Sequence, residues 1–384
     1  MTTPYSLTSA LSARIGQAIA ADQGWIGFDA FMALALYTPG LGYYANDSAK
    51  FGTMPSRLQA GVPVAGSDFV TAPEMTSLFG QTLAAQVAQA LQVTQTSEVW
   101  EFGAGSGALA LQVLDTLAAM GLPLARYSIV DLSGSLRARQ QETLARFAGT
   151  VRWVSELPDT LQGVVLGNEV LDAMPVKLLA RVNGVWYERG VALDPPMDVQ
   201  PGGDAPRFVW HDRTTELRPP LDIEGVHDYL TEIHPQAESF VRTLADRLTV
   251  GAAFLIDYGF PEHEYYHPQR HMGTVMCHRS HRSDPDPLTD VGLKDITAHV
   301  NFTGIALAAQ EAGLNVLGYC TQARFLINCG LVARMETAPL AVRVQAQKLI
   351  MEHEMGELFK VIGLYKGEPW QAIGFSQGDR THTL

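Results

Sequence analysis

At 384 residues the chain is longer than one simple domain usually runs, so an elaborated core or a core plus a second lobe is expected. Hydrophobic residues make up 47% and charged residues 17%, which excludes a disordered chain. A formal net charge of −13, with no run of Lys or Arg to track a phosphate backbone, argues against a nucleic-acid substrate.

The three cysteines, Cys277, Cys320 and Cys329, are too few and too scattered for a disulfide framework or a zinc ribbon, and a reducing compartment fits them. The first residues show neither a charged start before an apolar run nor an Arg-rich transit pattern. No stretch has the length and apolarity of a membrane span. The expectation is a soluble, cytoplasmic protein.

Residues 6 to 36 carry Ala, Leu and Ile at helical spacing and stop at the turn signal Thr38-Pro39-Gly40, so one or two helices come first. Gly42 through Gly66 reads as a loop. A further helix is predicted from about Glu74 to Gln92, with Thr71 as N-cap and Glu74 at the capping-box spacing. From Ser97 onward strands and helices alternate. Glu98 to Phe102 is a strand, Gly103 to Gly107 a turn, Ala108 to Met120 a helix, Tyr127 to Asp131 a strand and Ser135 to Phe147 a helix. Strands at Val151 to Val154 and Val164 to Leu166 complete the run. This alternation predicts a parallel sheet with helices on both faces.

After Pro175 the pattern turns antiparallel: Val176 to Val182, Asn183-Gly184 and Val185 to Leu193 form a strong hairpin signal. Asp194 to Pro206 reads as a loop. A helix around Gln236 to Leu248 and a buried strand from Ala252 to Asp257 follow.

The glycines Gly103, Gly105 and Gly107 sit between a strand and a helix, where the missing Cβ atoms let the backbone turn sharply against a ligand. Gly103, Gly105 and Ala108 also satisfy the dinucleotide fingerprint, so the glycines alone leave NAD open. Glu101, two residues before Gly103, suits a cofactor's amino group and would face a pyrophosphate unfavourably. Asp131 ends the second strand, placed for both ribose hydroxyls and 28 positions after Gly103. These acidic residues favour S-adenosyl-L-methionine.

Five separated segments occur in order: Asp68 to Glu74, the glycine loop, Gly167-Asn168-Glu169-Val170-Leu171-Asp172-Ala173-Met174-Pro175, Leu255 to Gly259 and Asp295 to Phe302. Together they resemble the MidA-type methyltransferases, relatives of a mitochondrial complex I assembly methyltransferase. The resemblance implies an α/β class I methyltransferase fold, a Rossmann-like doubly wound sheet with N-terminal helices and an inserted β-hairpin region. It implies S-adenosyl-L-methionine as cofactor and a protein acceptor bearing arginine, which for the mitochondrial relative is a complex I subunit. On this reading residues 1–95 form a helical extension and cofactor lid, contributing Thr71, Pro73 and Glu74 to the cofactor site. Residues 96–384 form the core, with insertions at about 176–225 and 260–303.

A guanidinium acceptor asks for carboxylates that pair with two of its nitrogens. Glu169 and Asp172, three apart after a strand, are the candidates, with Asn168 holding cofactor or substrate through its amide. Asp257-Tyr258 and Asp295 with His299, which read as later loops of the same edge, could shape the acceptor pocket, and His299 could take the departing proton. Other readings are a non-catalytic S-adenosyl-L-methionine-binding assembly factor and an NAD-linked oxidoreductase. A zinc hydrolase is a fourth, because His263-Glu264-Tyr265-Tyr266-His267 matches H-E-x-x-H. Pro261 and Pro268 argue against the continuous helix that motif needs, so it reads as a loop that holds no metal, despite further histidines at 271, 278 and 281.

Overall fold

The computed structural model describes residues 4–46, 71–131, 134–194, 206–279 and 282–384. Residues 68–70 of the first family segment, most of the Gly42 to Gly66 loop, most of the Asp194 to Pro206 loop and His281 lie outside them. The chain divides into two compact units. One comprises 1–48, 172–237 and 262–301, the other 49–171, 238–261 and 302–384. The first helices and nearly all the described residues of both expected insertions thus share one unit, and residues 71–95 go with the other.

The larger unit is built on strands numbered here within it: β1 Glu98–Phe102, β2 Arg126–Val130, β3 Val151–Val154, β4 Leu161–Asn168, β5 Leu248–Phe260, β6 Asn315–Thr321 and β7 Phe359–Lys366. Their spatial order is β3-β2-β1-β4-β5-β7-β6. The first five are parallel; β7 runs antiparallel to both β5 and β6. The order reverses between β1 and β4, the switch point at which doubly wound sheets open a crevice for ligands.

Alternate residues of these strands serve opposite faces. Val99, Tyr127, Ile129, Val164, Leu166, Ala252, Phe254 and Ile256 pack with the apolar sides of helices Leu78–Thr94 and Ala108–Ala119 and with Phe325 and Leu331 in one buried cluster. Phe102 points to the other face, where its ring meets Phe240 edge-on at 5.0 Å. The helix predicted from Glu74 is broken in two, Ala72–Met75 and Leu78–Thr94, because Thr76 takes up extended backbone between them. Gln112 ties the pieces together: its amide donates to the Pro73 carbonyl at 2.8 Å and accepts from the Gly80 N–H at 2.9 Å.

The smaller unit is antiparallel. The predicted hairpin forms with Lys177–Val182 against Val185–Leu193, Val182 opposite Val185, and Asn183 and Gly184 both at positive φ, as a type I′ turn requires. Tyr229–Ile233, Phe208–Thr214 and the unpredicted strand Trp25–Gly27 complete a five-stranded sheet. Helices Pro4–Ala21 and Phe28–Tyr37 cover it through Leu11, Ile15, Ile19, Phe28, Phe31 and Met32. Asp295–Thr297, read as loop from the sequence, is a strand of a separate three-stranded sheet, where Ile296 is buried opposite Cys277.

Two glycines lock the start of β4 to β5. Gly251 faces Gly163, and a Cβ on Gly251 would strike the Gly163 carbonyl, while one on Gly163 would strike the Glu98 carbonyl of β1. Both also hold positive φ. Gly163→Ala is therefore expected to lower unfolding stability by at least about 2 kcal/mol, whereas Gly149→Ala, in open space, stays within about 0.5 kcal/mol. Denaturant titration of both variants checks this; equal stabilities would refute the close-approach argument.

Candidate active site

Strand register brings the candidate residues to one edge. Phe102 pairs with Val130 on one side and Gly167 on the other, and Gly167 pairs with Leu255. The carboxyl ends of β1, β2 and β4 therefore finish almost level, and β5 crosses that line at Leu255–Ile256 before running on to Phe260. The residues at this edge are Gly103, Asp131, Asn168-Glu169 and, still within β5, Asp257.

Gly103, Gly105 and Gly107 all hold positive φ, at 63°, 53° and 85°, a conformation that costs side-chain-bearing residues strain. Gly107 is the N-cap of Ala108–Ala119 and supplies no capping side chain, so the first helical N–H groups lack a side-chain partner at the cap. Gln140, from the helix Gly134–Thr143, donates to the Gly105 carbonyl at 3.0 Å and to Asp131 Oδ2 at 2.8 Å.

Glu101 is 2% exposed and accepts a 2.5 Å hydrogen bond from the Tyr127 hydroxyl. Burial raises its carboxyl to about 7; the Tyr127 bond opposes this and the charge of Asp131 adds to it. Burial and the neighbouring Glu101 charge push the Tyr127 hydroxyl well above its ordinary value, so it stays a donor.

Thr71 does occupy the N-cap position of Ala72–Met75, but its side chain makes no capping bond. Glu74 is turned to the glycine loop instead, where its carboxylate accepts from Ser106 Oγ. Neither Ser106 nor Tyr127 nor Gln140 stood out in the sequence, since each is an ordinary polar residue within a helix, strand or turn.

At the end of β4, Asn168 Nδ2 donates to Glu169 Oε1 at 3.0 Å, and Asn168 Oδ1 is buried with no hydrogen-bond partner among the described residues. Glu169 holds a left-handed φ of 54°, and its N–H donates to the Ile256 carbonyl. That conformation costs a residue with a Cβ about 1 kcal/mol or more and marks a constrained position. The constraint comes from Asp257, fully buried, whose Oδ2 accepts from the Val170 and Leu171 N–H groups at 3.1 and 2.9 Å, while Oδ1 accepts from the Tyr258 N–H at 3.0 Å. Asp257 thus shapes the turn that carries Glu169. The sequence had suggested it only as a pocket wall.

Asp172 opens the next segment, which belongs to the smaller unit. There its carbonyl accepts from the Ala298 N–H, and its carboxylate lies in the electrostatic neighbourhood of Tyr37, Tyr44 and Asp295. The Tyr44 hydroxyl donates to Asp295 Oδ2 at 2.8 Å and the Tyr37 hydroxyl to the Ala173 carbonyl at 2.8 Å; the two rings stack at 5.7 Å. Burial, then Asp295 and Asp172, raise both hydroxyls far above the ordinary tyrosine value, which fixes them as donors. The only hint of these tyrosines was their spacing around the Thr38-Pro39-Gly40 turn, where Tyr43 and Tyr44 return to donate to the Ala35 and Leu36 carbonyls. His299 lies in the same unit; its N–H donates to Thr274 Oγ1 and its carbonyl accepts from His234 Nε2. Burial lowers His234 to about 4, so it is neutral with the proton on Nε2.

The H-E-x-x-H segment is one helical turn, Glu262–Tyr265, rather than the loop expected. The Tyr266 N–H closes it on the Glu262 carbonyl, and Pro268 stops it before His267 joins a longer helix. His267 Nδ1 accepts from the Gln269 N–H. Among the described residues, no group of three His, Cys, Asp or Glu side chains is placed to hold a metal ion.

The glycine turn, the helix N-terminus, buried Glu101 and the unpartnered Asn168 oxygen fit the sulfonium, ammonium, carboxylate and ribose groups of S-adenosyl-L-methionine. Comparison with known proteins agrees. Residues 82–320 match a protein family described as "Putative S-adenosyl-L-methionine-dependent methyltransferase". A Burkholderia thailandensis protein crystallised bound to S-adenosyl-homocysteine superposes with a TM-score of 0.89 at 47% identity, covering 99% of this chain and 98% of that one. A native crystal structure from the same organism gives 0.86 at 46%, with the same coverage. More distantly, the chain is similar to "Protein arginine methyltransferase NDUFAF7, mitochondrial" of Homo sapiens, at 28% identity over 82% of this chain and 77% of that protein. The Danio rerio protein of that name is 27% identical over 88% and 82%.

Because the folded Glu101 carboxyl titrates near 7 against an ordinary 4.5, the folded chain keeps a proton that the unfolded chain has lost between those values. Its contribution to stability is full below about 4.5 and is lost as pH rises through about 7, on the order of 3 kcal/mol in all. Glu101→Gln should flatten the fall in Tm of the unliganded protein across that window. A slope identical to wild type would place the proton elsewhere.

The level carboxyl edge, its glycine turn and its acidic residues are those of the class I methyltransferase fold, the cofactor is S-adenosyl-L-methionine, and the chain belongs to the family of S-adenosyl-L-methionine-dependent methyltransferases.

Proposed function

We propose that the protein methylates arginine side chains of a protein acceptor. The observation that carries this reading is Glu169: a carboxylate in a left-handed turn at the switch-point edge, fixed through Asp257 and bonded by Asn168. The cofactor supplies an electrophilic methyl group on a sulfonium, so the protein's work is to place a nucleophile in line and exclude water.

Glu169 accepts hydrogen bonds from the guanidinium, and its charge keeps electron density on the nitrogen left to attack. Asn168 fixes one Glu169 oxygen and offers its own oxygen to an N–H of cofactor or acceptor. Asp131 takes the ribose hydroxyls, and Glu101 the ammonium group. Asp172 and His299, the other acceptor residues suggested by the sequence, belong to the smaller unit. The likeness to mitochondrial proteins named as arginine methyltransferases supports the acceptor class.

Incubating the full chain with labelled S-adenosyl-L-methionine and extract of its host, then mapping the product, should yield methylarginine. Glu169→Gln is expected to lower turnover by at least about a hundredfold while S-adenosyl-homocysteine affinity changes by less than about threefold. Label on a residue other than arginine, or full turnover by Glu169→Gln, would overturn the proposal.

A further inference from the structure

Gln140 is fully buried, and each polar atom of its amide is used. Nε2 has two protons; one bond runs to Asp131 Oδ2 at 2.8 Å, the other to the Gly105 carbonyl at 3.0 Å. Oε1 accepts from the Trp153 indole at 2.8 Å. An indole N–H only donates, so Trp153 fixes which end of the amide is oxygen and turns both amide protons toward the site. The backbone and Cγ of Gln140 also back the last glycine of the loop, 3.5 and 3.6 Å from where a Gly107 Cβ would stand.

We propose that Gln140 is a positioning residue for the cofactor, joining the ribose-binding carboxylate to the glycine loop so that the two cannot rotate independently. The inference rests on the assignment of Asp131 to the ribose hydroxyls. Its chemistry is specific. A carboxylate rotates about its terminal bond unless a donor holds one oxygen, and an oriented acceptor binds a rigid diol without losing that freedom on binding. The bond to the Gly105 carbonyl sets the Gly105–Ser106 peptide plane, and planarity places the Ser106 N–H on the opposite side, away from Gln140. Glutamate in place of Gln140 would offer no N–H to either partner and would repel Asp131; asparagine is one methylene short; leucine or methionine leaves the indole N–H and the Gly105 carbonyl unpaired. Only an amide of this length supplies two donors on one side and an acceptor on the other.

Calorimetric titration of the full chain, which needs no knowledge of the acceptor, tests this with two ligands: S-adenosyl-homocysteine and its 2′,3′-dideoxy analogue. Gln140→Met should weaken S-adenosyl-homocysteine about tenfold, the loss of one charge-assisted positioning bond, and the dideoxy analogue by less than about twofold. Trp153→Phe, which removes only the indole donor, should show the same ligand selectivity to a smaller extent. Asp131→Asn serves as the reference and should likewise spare the dideoxy analogue. If Asp131→Asn is selective while both other variants are not, or weaken the two ligands equally, Gln140 is a packing residue and the proposal fails with the ribose assignment intact. If Asp131→Asn itself shows no selectivity, the ribose assignment falls and this inference with it.

Discussion

The pairing of Phe102 with Val130 and Gly167, and of Gly167 with Leu255, is the constraint from which the cofactor half of the site follows. Parallel strands in register end together, and where they end their backbone groups leave the ladder and need other partners. In this unit the partners are the site residues. Gly103 donates to the Val130 carbonyl, Glu169 to the Ile256 carbonyl, and Val170 and Leu171 to Asp257. A one-residue slip of β4 against β1 would turn every side chain of that strand to the other face and carry Asn168 away with it. The facing glycines Gly163 and Gly251, where no Cβ fits, pin the opposite end of the same strands.

The carboxylates at this edge escape the cost of burial by different means. Asp257 remains inside because three backbone N–H groups solvate it, a substitute for water that also shapes the turn. Among the described residues Glu101 has Tyr127 as its donor, and it compensates by holding its proton until about neutral pH. Asp131 is less buried and is held by an amide. The same residue type therefore serves as a structural anchor, a proton-retaining ligand group and an oriented acceptor, according to how many donors surround it.

The smaller unit follows a different logic, with antiparallel strands around an aliphatic and aromatic core. It contributes two buried carboxylates, Asp172 and Asp295, with tyrosine hydroxyls kept protonated beside them. The chain enters this unit between Leu171 and Asp172, so the Gly167–Pro175 segment carries one carboxylate into each unit.

The sequence by itself determined the parallel strands, the glycine turn, the hairpin and the positions of Glu101, Asp131 and Glu169, because each is encoded locally. Strand periodicity, positive-φ glycines and an Asn-Gly turn are properties of a few consecutive residues. It misread what depends on partners far along the chain. The helix from Glu74 breaks at Thr76, the supposed capping glutamate serves Ser106, and Asp295–Thr297 pairs into a sheet. Trp25–Gly27 is too short to show a period and exists because Val185–Leu193 offers it an edge. Tyr127, Gln140 and Tyr44 gain their roles from Glu101, Asp131 and Asp295, which lie 26, 9 and 251 positions away. Only tertiary structure decided those pairings, since a hydrogen bond reads distance in space and a sequence pattern reads distance along the chain.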